Sequence, residues 1–260
     1  MFKRLYAFHG GSEYCSNCVF DTQSADPDGI SEIPYFFYLI EHSNGFVAFD
    51  TGVNLDLIRD MRSYLGPHAQ DWKIYVRPDD DVRSQLGKIG VDIKDVKTVV
   101  LSHLHYDHAG GMNLFENAVF LVQRDEWDFA LNPPNVQQNS YVRSEYDVPA
   151  VRLRLIGGEF DIFGDGTLIL VPTPGHTKGH QSLLIAGRAS SYILAADAAY
   201  VPDLEDISRL PVASLIWSKE ALIESRMNLR RLRDRYNAKV ICTHDGDFRN
   251  SLNLAPAFYA

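Results

Sequence analysis

Apolar residues along this chain fall into short runs separated by charged or turn-forming segments, and each run predicts an element. Arg4–Phe8, Tyr35–Glu41 and Phe46–Phe49 are brief and rich in aromatic or β-branched residues, so they read as strands. The third runs into Asp50-Thr51-Gly52. A helix is expected near Leu55–Tyr64. Another begins after Pro78, with Asp79, Asp80 and Asp81 as candidate N-caps, and ends near Gly90. A strand at Val96–Leu101 follows, then a short helix from Ala109, a strand at Val119–Val122 and a helix at Arg124–Leu131. Asn132 to Pro149 shows no period, and a loop of that length is a lid, an interface segment or a plain surface excursion. Strand-like runs resume at Leu168–Val171, Gln181–Ile185, Tyr192–Ala196 and Lys239–Cys242. Between the last two, Lys219–Tyr236 places Leu222, Ser225, Leu229, Leu232 and Tyr236 on one helical stripe.

Strands that meander first and then alternate with helices in both halves predict an α/β (α+β) fold. The expected form is a four-layer αβ/βα sandwich, two mixed β-sheets packed together with helices on the outer faces. No repeat, low-complexity tract or linker interrupts the chain, so one domain is expected over residues 1–260.

Composition narrows this picture without redirecting it. Apolar residues at 45% and charged residues at 23% suit a globular domain with a substantial core. No apolar run of about 18 residues is present, and the first residues lack a signal-peptide block, so a cytoplasmic protein is expected, with no membrane partner. A net charge of −9 argues against a nucleic-acid partner. Arg226, Arg230, Arg231, Arg233 and Arg235 cluster on one predicted helix and read as a solvated face. Three cysteines are too few for a disulfide framework. Cys15 and Cys18 form a C-x-x-C without the second pair or context that zinc or redox chemistry would need, and Cys242 reads as core.

The chemistry concentrates where strands end. His103, His105, Asp107 and His108 make an H-x-H-x-D-H pattern after the Val96–Leu101 run, closed by Gly110-Gly111. His176, Asp197 and His244 each follow a later strand-like run. Imidazoles and carboxylates suit zinc, iron, cobalt or manganese, and seven such donors are enough for two divalent ions, zinc foremost. Side-chain direction has period two in extended backbone, so His103 and His105 share a side; with His176 they would make one three-histidine face. Asp107, His108 and His244 would surround a second ion, and Asp197 could bridge. His180, beside the strand at Gln181, reads as an orienting residue, and His9, His42 and His68 lack ligand-like context.

These motifs, in this order from Asp50 to His244, resemble the metallo-β-lactamase superfamily over nearly the whole chain. The resemblance implies the sandwich fold and a structural role for Asp50-Thr51-Gly52 beside the metals. True β-lactamases of the superfamily carry a cysteine ligand and a signal peptide, and flavodiiron-type sites replace the second histidine by glutamate; this chain has neither feature, keeping His105. Ser102–Gly111, Thr173–Leu183 and the Asp197-Ala-Ala-Tyr200 spacing are similar to the N-acyl homoserine lactonases. Thr243-His244-Asp245 and the closing Phe258-Tyr259 also resemble 4-pyridoxolactonase. The resemblance assigns Tyr200 to the substrate carbonyl and implies a homodimer.

The expected activity is therefore that of a binuclear metal-dependent lactonase, a hydrolase acting on a small-molecule lactone, with quorum quenching as its setting. A catalytic metal brings the pKa of water from about 15.7 to about 7. At about 1.4 kcal/mol per pKa unit, that lowers the cost of hydroxide by roughly 12 kcal/mol. Asp107 would pass the released proton to the leaving ring oxygen. Tyr106 and the Leu55–Tyr75 segment are the candidate pocket walls. The alternatives are a lactonase for a small catabolic ring such as 4-pyridoxolactone, and a non-haem iron persulfide dioxygenase. A glyoxalase-II-like thioesterase leaves Tyr200 unexplained, and a nuclease conflicts with the acidic charge.

Overall fold

A computed structural model of the chain describes residues 1–67, 69, 72–134, 137–147, 151–200, 204–244 and 252–260. His68, Asp245 and parts of the 132–149 and 55–75 segments lie outside the described residues. One sheet contains β1 (Phe2–Ser16), β2 (Ile30–His42), β3 (Gly45–Phe49), β4 (Lys73–Tyr75), β5 (Val96–Val100), β6 (Val119–Gln123) and β7 (Leu153–Ile156), in the order β4-β1-β2-β3-β5-β6-β7. The other contains β8 (Phe160–Asp161), β9 (Leu168–Pro172), β10 (Gln181–Ala186), β11 (Ser191–Ala196) and β12 (Ala238–Cys242), in the order β12-β11-β10-β9-β8. The helices are α1 (Asp56–Arg59), α2 (Met61–Leu65), α3 (Val82–Gly87), α4 (Tyr106–Ala109), α5 (Arg124–Leu131), α6 (Arg143–Tyr146) and α7 (Lys219–Tyr236).

Strand alternation builds the layers. On β2, Phe36, Tyr38 and Ile40 face the second sheet and pack with Leu170, Leu183 and Leu194 in the central core. Phe37 and Leu39 point the other way, into an outer cluster with Val82 and Leu86 of α3. Both faces of β2 are covered, which is why its sequence is a continuous apolar run. The second sheet is covered by α7, whose Leu229 packs with Val171, Leu184 and Val240. Two mixed sheets between helical layers are the four-layer sandwich that the sequence predicts.

The differences are local and have identifiable causes. β1 and β2 extend well past the predicted runs, because irregular pairing between His9 and Ser12 carries a polar, glycine-containing stretch onward as sheet. The helix expected over Leu55–Tyr64 is two helices, broken at Asp60, which takes φ −157° and caps the second by accepting from Ser63 N at 3.0 Å. Of the three candidate caps after Pro78, Asp81 caps α3, while Asp80 pairs with Arg77. The helix predicted to start at Ala109 instead ends there, since His105 starts it and the glycine pair stops it. Arg226 is not part of a solvated face: its buried guanidinium donates to Ala198 O at 2.8 Å and to Arg209 O. Cys242 is core, as expected, and Cys15 and Cys18 are free thiols. No helix among the described residues is long and apolar enough to cross a membrane.

Strand direction then gathers the site. β3, β5, β6 and β7 run parallel. β9 and β11 are each antiparallel to β10, and β12 is parallel to β11, so β9, β11 and β12 share a direction. Main chain links the two sheets at their shared edge, Gln181 N donating to Ser102 O at 2.9 Å. The C-terminal ends of β3, β5, β9, β11 and β12, which lead to Asp50, His103, His176, Asp197 and His244, converge there.

Candidate metal centre

Each donor reaches the centre because a specific turn aims it. After β5 the chain passes His103 and reaches His105 in an extended conformation, and α4 then carries Asp107 and His108. His176 sits in the β9–β10 loop, which can approach α7 only because residue 175 is glycine: a Cβ there would lie 2.3 Å from Leu222 Cα. Asp197 follows Ala196, whose left-handed φ of +46° ends β11 and redirects the chain. His244 leaves the end of β12 and is anchored at Nδ1 to Pro34 O at 2.9 Å.

All seven predicted donors come together. His103, His105 and His176 form one group, His103, His108 and Asp197 another, and Asp107, His108 and His244 a third, with donor atoms in each within 4.8 Å of one another. Asp197 faces both sides. Its Oδ1 lies 3.2 Å from His108 Nε2 and 3.3 Å from His244 Nε2, and its Oδ2 lies 3.4 Å from His176 Nε2. Asp107 Oδ2 lies 3.3 Å from His108 Nε2 and 3.4 Å from His244 Nε2.

The rings are oriented from behind, as metal-binding imidazoles require. His176 Nδ1 meets Leu215 O at 2.7 Å, and His108 Nδ1 meets Asp50 Oδ2 at 2.8 Å. Asp50 in turn accepts from Ser102 N and Ser102 Oγ, which explains why the Asp-Thr-Gly turn stands beside the cluster. Thr51 adds to it, its hydroxyl donating to His108 O and accepting from Gly111 N. His180 is an orienting residue: its Nε2 accepts Asp197 N–H at 3.1 Å, so Nδ1 carries the proton and donates to Thr173 Oγ1. Burial takes its pKa down to about 3, which keeps it in that neutral form.

The donor set fits divalent cations. His103 Nε2, His105 Nε2, His108 Nε2 and Asp197 Oδ1 are buried, lack hydrogen-bond partners and point into the cluster. Unpaired buried polar atoms cost free energy, and ligation is the arrangement that satisfies four of them at once. Burial, then the neighbouring imidazoles, hold His103 and His105 well below their usual pKa, so their nitrogens are free to ligate. Burial would also raise the Asp197 carboxyl, but His244, His108 and His176 outweigh it and keep it ionised.

Tyr200 joins the site. Its hydroxyl is buried, 3.3 Å from Asp197 Oδ2 and 2.9 Å from His176 Nδ1. Tyr106, Trp72 and Lys73 line the cavity over the cluster, so part of the Leu55–Tyr75 segment is a wall of it. Leu57, Ile58 and Met61 line a separate cavity. From the 132–149 segment, Tyr141 packs edge-on against His105 at 4.5 Å, and Gln137 donates to His176 O.

Two acidic residues without a place in the sequence reading belong here. Glu126, in the first turn of α5, accepts from Leu104 N, Gly179 N, Tyr141 Oη and Thr177 Oγ1, tying the His103–His108 loop to the His176 loop. Gly179 allows that approach, since a Cβ would fall 1.9 Å from Glu126 N. Glu13 lines the same cavity from β1 and accepts from Tyr35 Oη at 3.2 Å. Neither has a spacing signal, because each contacts the site across long sequence separations.

A sandwich of this topology with histidines and aspartates at converging strand ends defines a class, and the chain belongs to the metallo-beta-lactamase superfamily, whose profile matches residues 32–244. Within it, the chain is 35% identical over 262 residues to the N-acyl homoserine lactonase AttM of Azorhizobium caulinodans, covering 98% of each. A solved N-acyl homoserine lactone hydrolase, with N-hexanoyl-L-homoserine bound at its catalytic metal centre, shares the fold at a TM-score of 0.86 and 24% identity over the whole of both chains. AidC, a dizinc quorum-quenching lactonase, shares it at 0.70 and 17% identity, covering 94% of this chain and 90% of its own.

Proposed function

We propose that the chain is a single hydrolase domain over residues 1–260 that opens the ring of an N-acyl homoserine lactone, with two divalent metal ions, zinc foremost, at the strand ends. The observation that carries this is a seven-donor cluster that opens on one cavity through His105, Asp107, His176, Asp197 and His244, with the Tyr200 hydroxyl beside Asp197. Full-length similarity to N-acyl homoserine lactonases supports the substrate class above a small catabolic lactone or a persulfide.

In this reading His103, His105 and His176 would hold one ion and Asp107, His108 and His244 the other, with Asp197 facing both groups. The two faces of the Asp197 carboxylate support the bridging role. When bound, the ions supply an acidified water and an electrophile for the carbonyl oxygen. The protein does the rest. Tyr200 Oη, kept protonated because burial and then Asp197 raise its pKa, donates to the oxygen on which charge develops. Asp107, which lines the cavity, receives the proton lost by the attacking water at the carboxylate oxygen not turned to His108 and His244, and returns it to the ring oxygen as the acyl C–O bond breaks. Water is added across one ester bond, giving a carboxylate and an alcohol. The Tyr35, Tyr106 and Trp72 rings line the cavity in which this step takes place.

We also place the protein in the cytoplasm, as a homodimer with no nucleic-acid or membrane partner; the acidic charge supports the exclusion of nucleic acid. The deciding experiment is hydrolysis of a lactone panel by metal-replete protein, followed by acid release, with a chelator control. Chelator-sensitive opening of N-acyl homoserine lactones is expected. Turnover of a persulfide with oxygen uptake and no lactone opening would sink the reading.

A further inference from the structure

The cavity above the cluster, about 540 Å³, has an unequal lining. Val19, Phe20, Ile30, Trp72, Val212 and Leu215 make an apolar wall. Its carboxylates include Asp107 and Asp197, both engaged with the histidines, and Glu13, which is bonded to Tyr35 instead. The pleat of β1 accounts for the position. Ser12 lines the cavity on the other side of the β1–β4 ladder and Tyr14 borders both cavities, while Glu13 and Cys15 line only the one over the metal cluster.

Glu13 is held in one orientation. Tyr35 Oη donates to its Oε2 at 3.2 Å, and Tyr35 Oη is itself paired with Tyr106 Oη at 2.9 Å. Because Tyr35 spends its one proton on Glu13, Tyr106 donates to Tyr35, and the relay has a fixed direction. Oε1 is then left to accept from whatever enters. An ionised carboxylate accepts only, so it favours a ligand donor and penalises lone pairs or an anion at the same place.

An acylamino lactone presents such a donor. Its ring carbonyl and ring oxygen belong at the metals and Tyr200, and its alkyl tail suits the apolar wall. The amide N–H beside the ring would be buried and needs an acceptor. We infer that Glu13 is that acceptor and the residue that selects lactones bearing an N–H on the carbon next to the carbonyl. The inference rests on the lactonase reading above and deepens it.

The test compares two lactones with substituents of matched length on the same ring carbon. N-hexanoyl homoserine lactone carries the N–H, and α-heptyl-γ-butyrolactone replaces the amide by methylenes. The ratio of their kcat/KM values is measured for wild type, Glu13→Gln and Glu13→Leu, each checked for metal content. Glu13→Leu is expected to lower the ratio, amide over alkyl, by about 10- to 100-fold, the range of one hydrogen bond to a charged group, and mainly through KM. Glu13→Gln keeps a neutral acceptor oxygen and should lower it only about fivefold to tenfold, the difference between a charged and a neutral bond. A ratio unchanged in Glu13→Leu overturns the inference, even if both rates fall, because a loss common to both substrates is a structural effect. A wild-type protein that opens neither lactone defeats the lactonase reading and this inference with it, whereas an active wild type with an unchanged ratio defeats this inference alone.

Discussion

Single atoms decide the chemistry of this site. Tyr200→Phe removes the hydroxyl beside Asp197 and keeps the ring against His244, so kcat/KM for the lactone should fall about 100-fold, the usual cost of one oxyanion donor. Asp107→Asn removes the carboxylate from the proposed proton path and should depress kcat by at least about 100-fold in steady-state assays; activity within a few-fold of wild type would remove it from the mechanism. Glu145 offers a prediction unrelated to catalysis. It is 4% exposed, and burial, partly offset by a hydrogen bond from the Asn54 side chain, pushes its pKa well above the usual carboxylate range. A folded pKa above the unfolded one means that its stabilising protonated state is fully present below the unfolded pKa, about 4.3, and is lost as pH rises towards the folded value. Glu145→Gln should therefore raise Tm progressively more from pH 4 to pH 8, and a constant difference across that range would refute this account. The ligand residues were legible in the chain because imidazoles at two-residue spacing after a strand have few other uses. Glu126, Glu13 and Glu145 were not, since a lone glutamate reads as surface until its neighbours are known.

At the scale of elements, the site is a set of turns fastened to one another. Glu126 is the fastening between two of them, its buried carboxylate taking four donors from the two ligand loops and from Tyr141. Glu126→Ala would leave those donors unsatisfied and let the His103–His108 and His176 loops separate. We expect weaker metal retention, with the half-point for chelator stripping shifted by at least about 10-fold, the low end for loss of a residue that orients metal ligands. Retention equal to wild type would show that the loops hold their geometry without it. Strands were legible as apolar runs, and α7 as a stripe, whereas its Ser218 cap emerged only from the structure. Short elements were not. β4, β7 and β8 are two to four residues long, and pairing across the sheet defines them rather than composition. The left-handed backbones of Asp50 and Ala196 were also invisible, because those residue types do not announce a positive φ as glycine does.

For the whole molecule, metal binding and folding are expected to be one equilibrium. The donors come from the ends of strands in both sheets, so ions held there join the halves of the sandwich and bind the folded chain far better than the unfolded one. With free zinc at 100 times its dissociation constant, linkage adds about 2.7 kcal/mol. Calorimetry should show Tm falling by roughly 5–10 °C on chelation and recovering on adding zinc. An unchanged Tm would mean that the cluster holds its shape through Glu126, Asp50 and the other anchors alone.

The amino-acid sequence by itself determined the layered α/β architecture and marked the seven residues that meet at the candidate metal centre, Tyr200 being marked through the family resemblance. Those features are local: periodicity sets elements, and strand ends carry ligands within a few residues. Only the tertiary structure decided which groups orient those ligands and what lines the cavity above them. Asp50 meets His108, Pro34 meets His244 and Glu13 meets Tyr35 across separations of 58, 210 and 22 residues. Such meetings follow from sheet order and strand register, which set the position of every side chain together and leave no spacing in the chain to read.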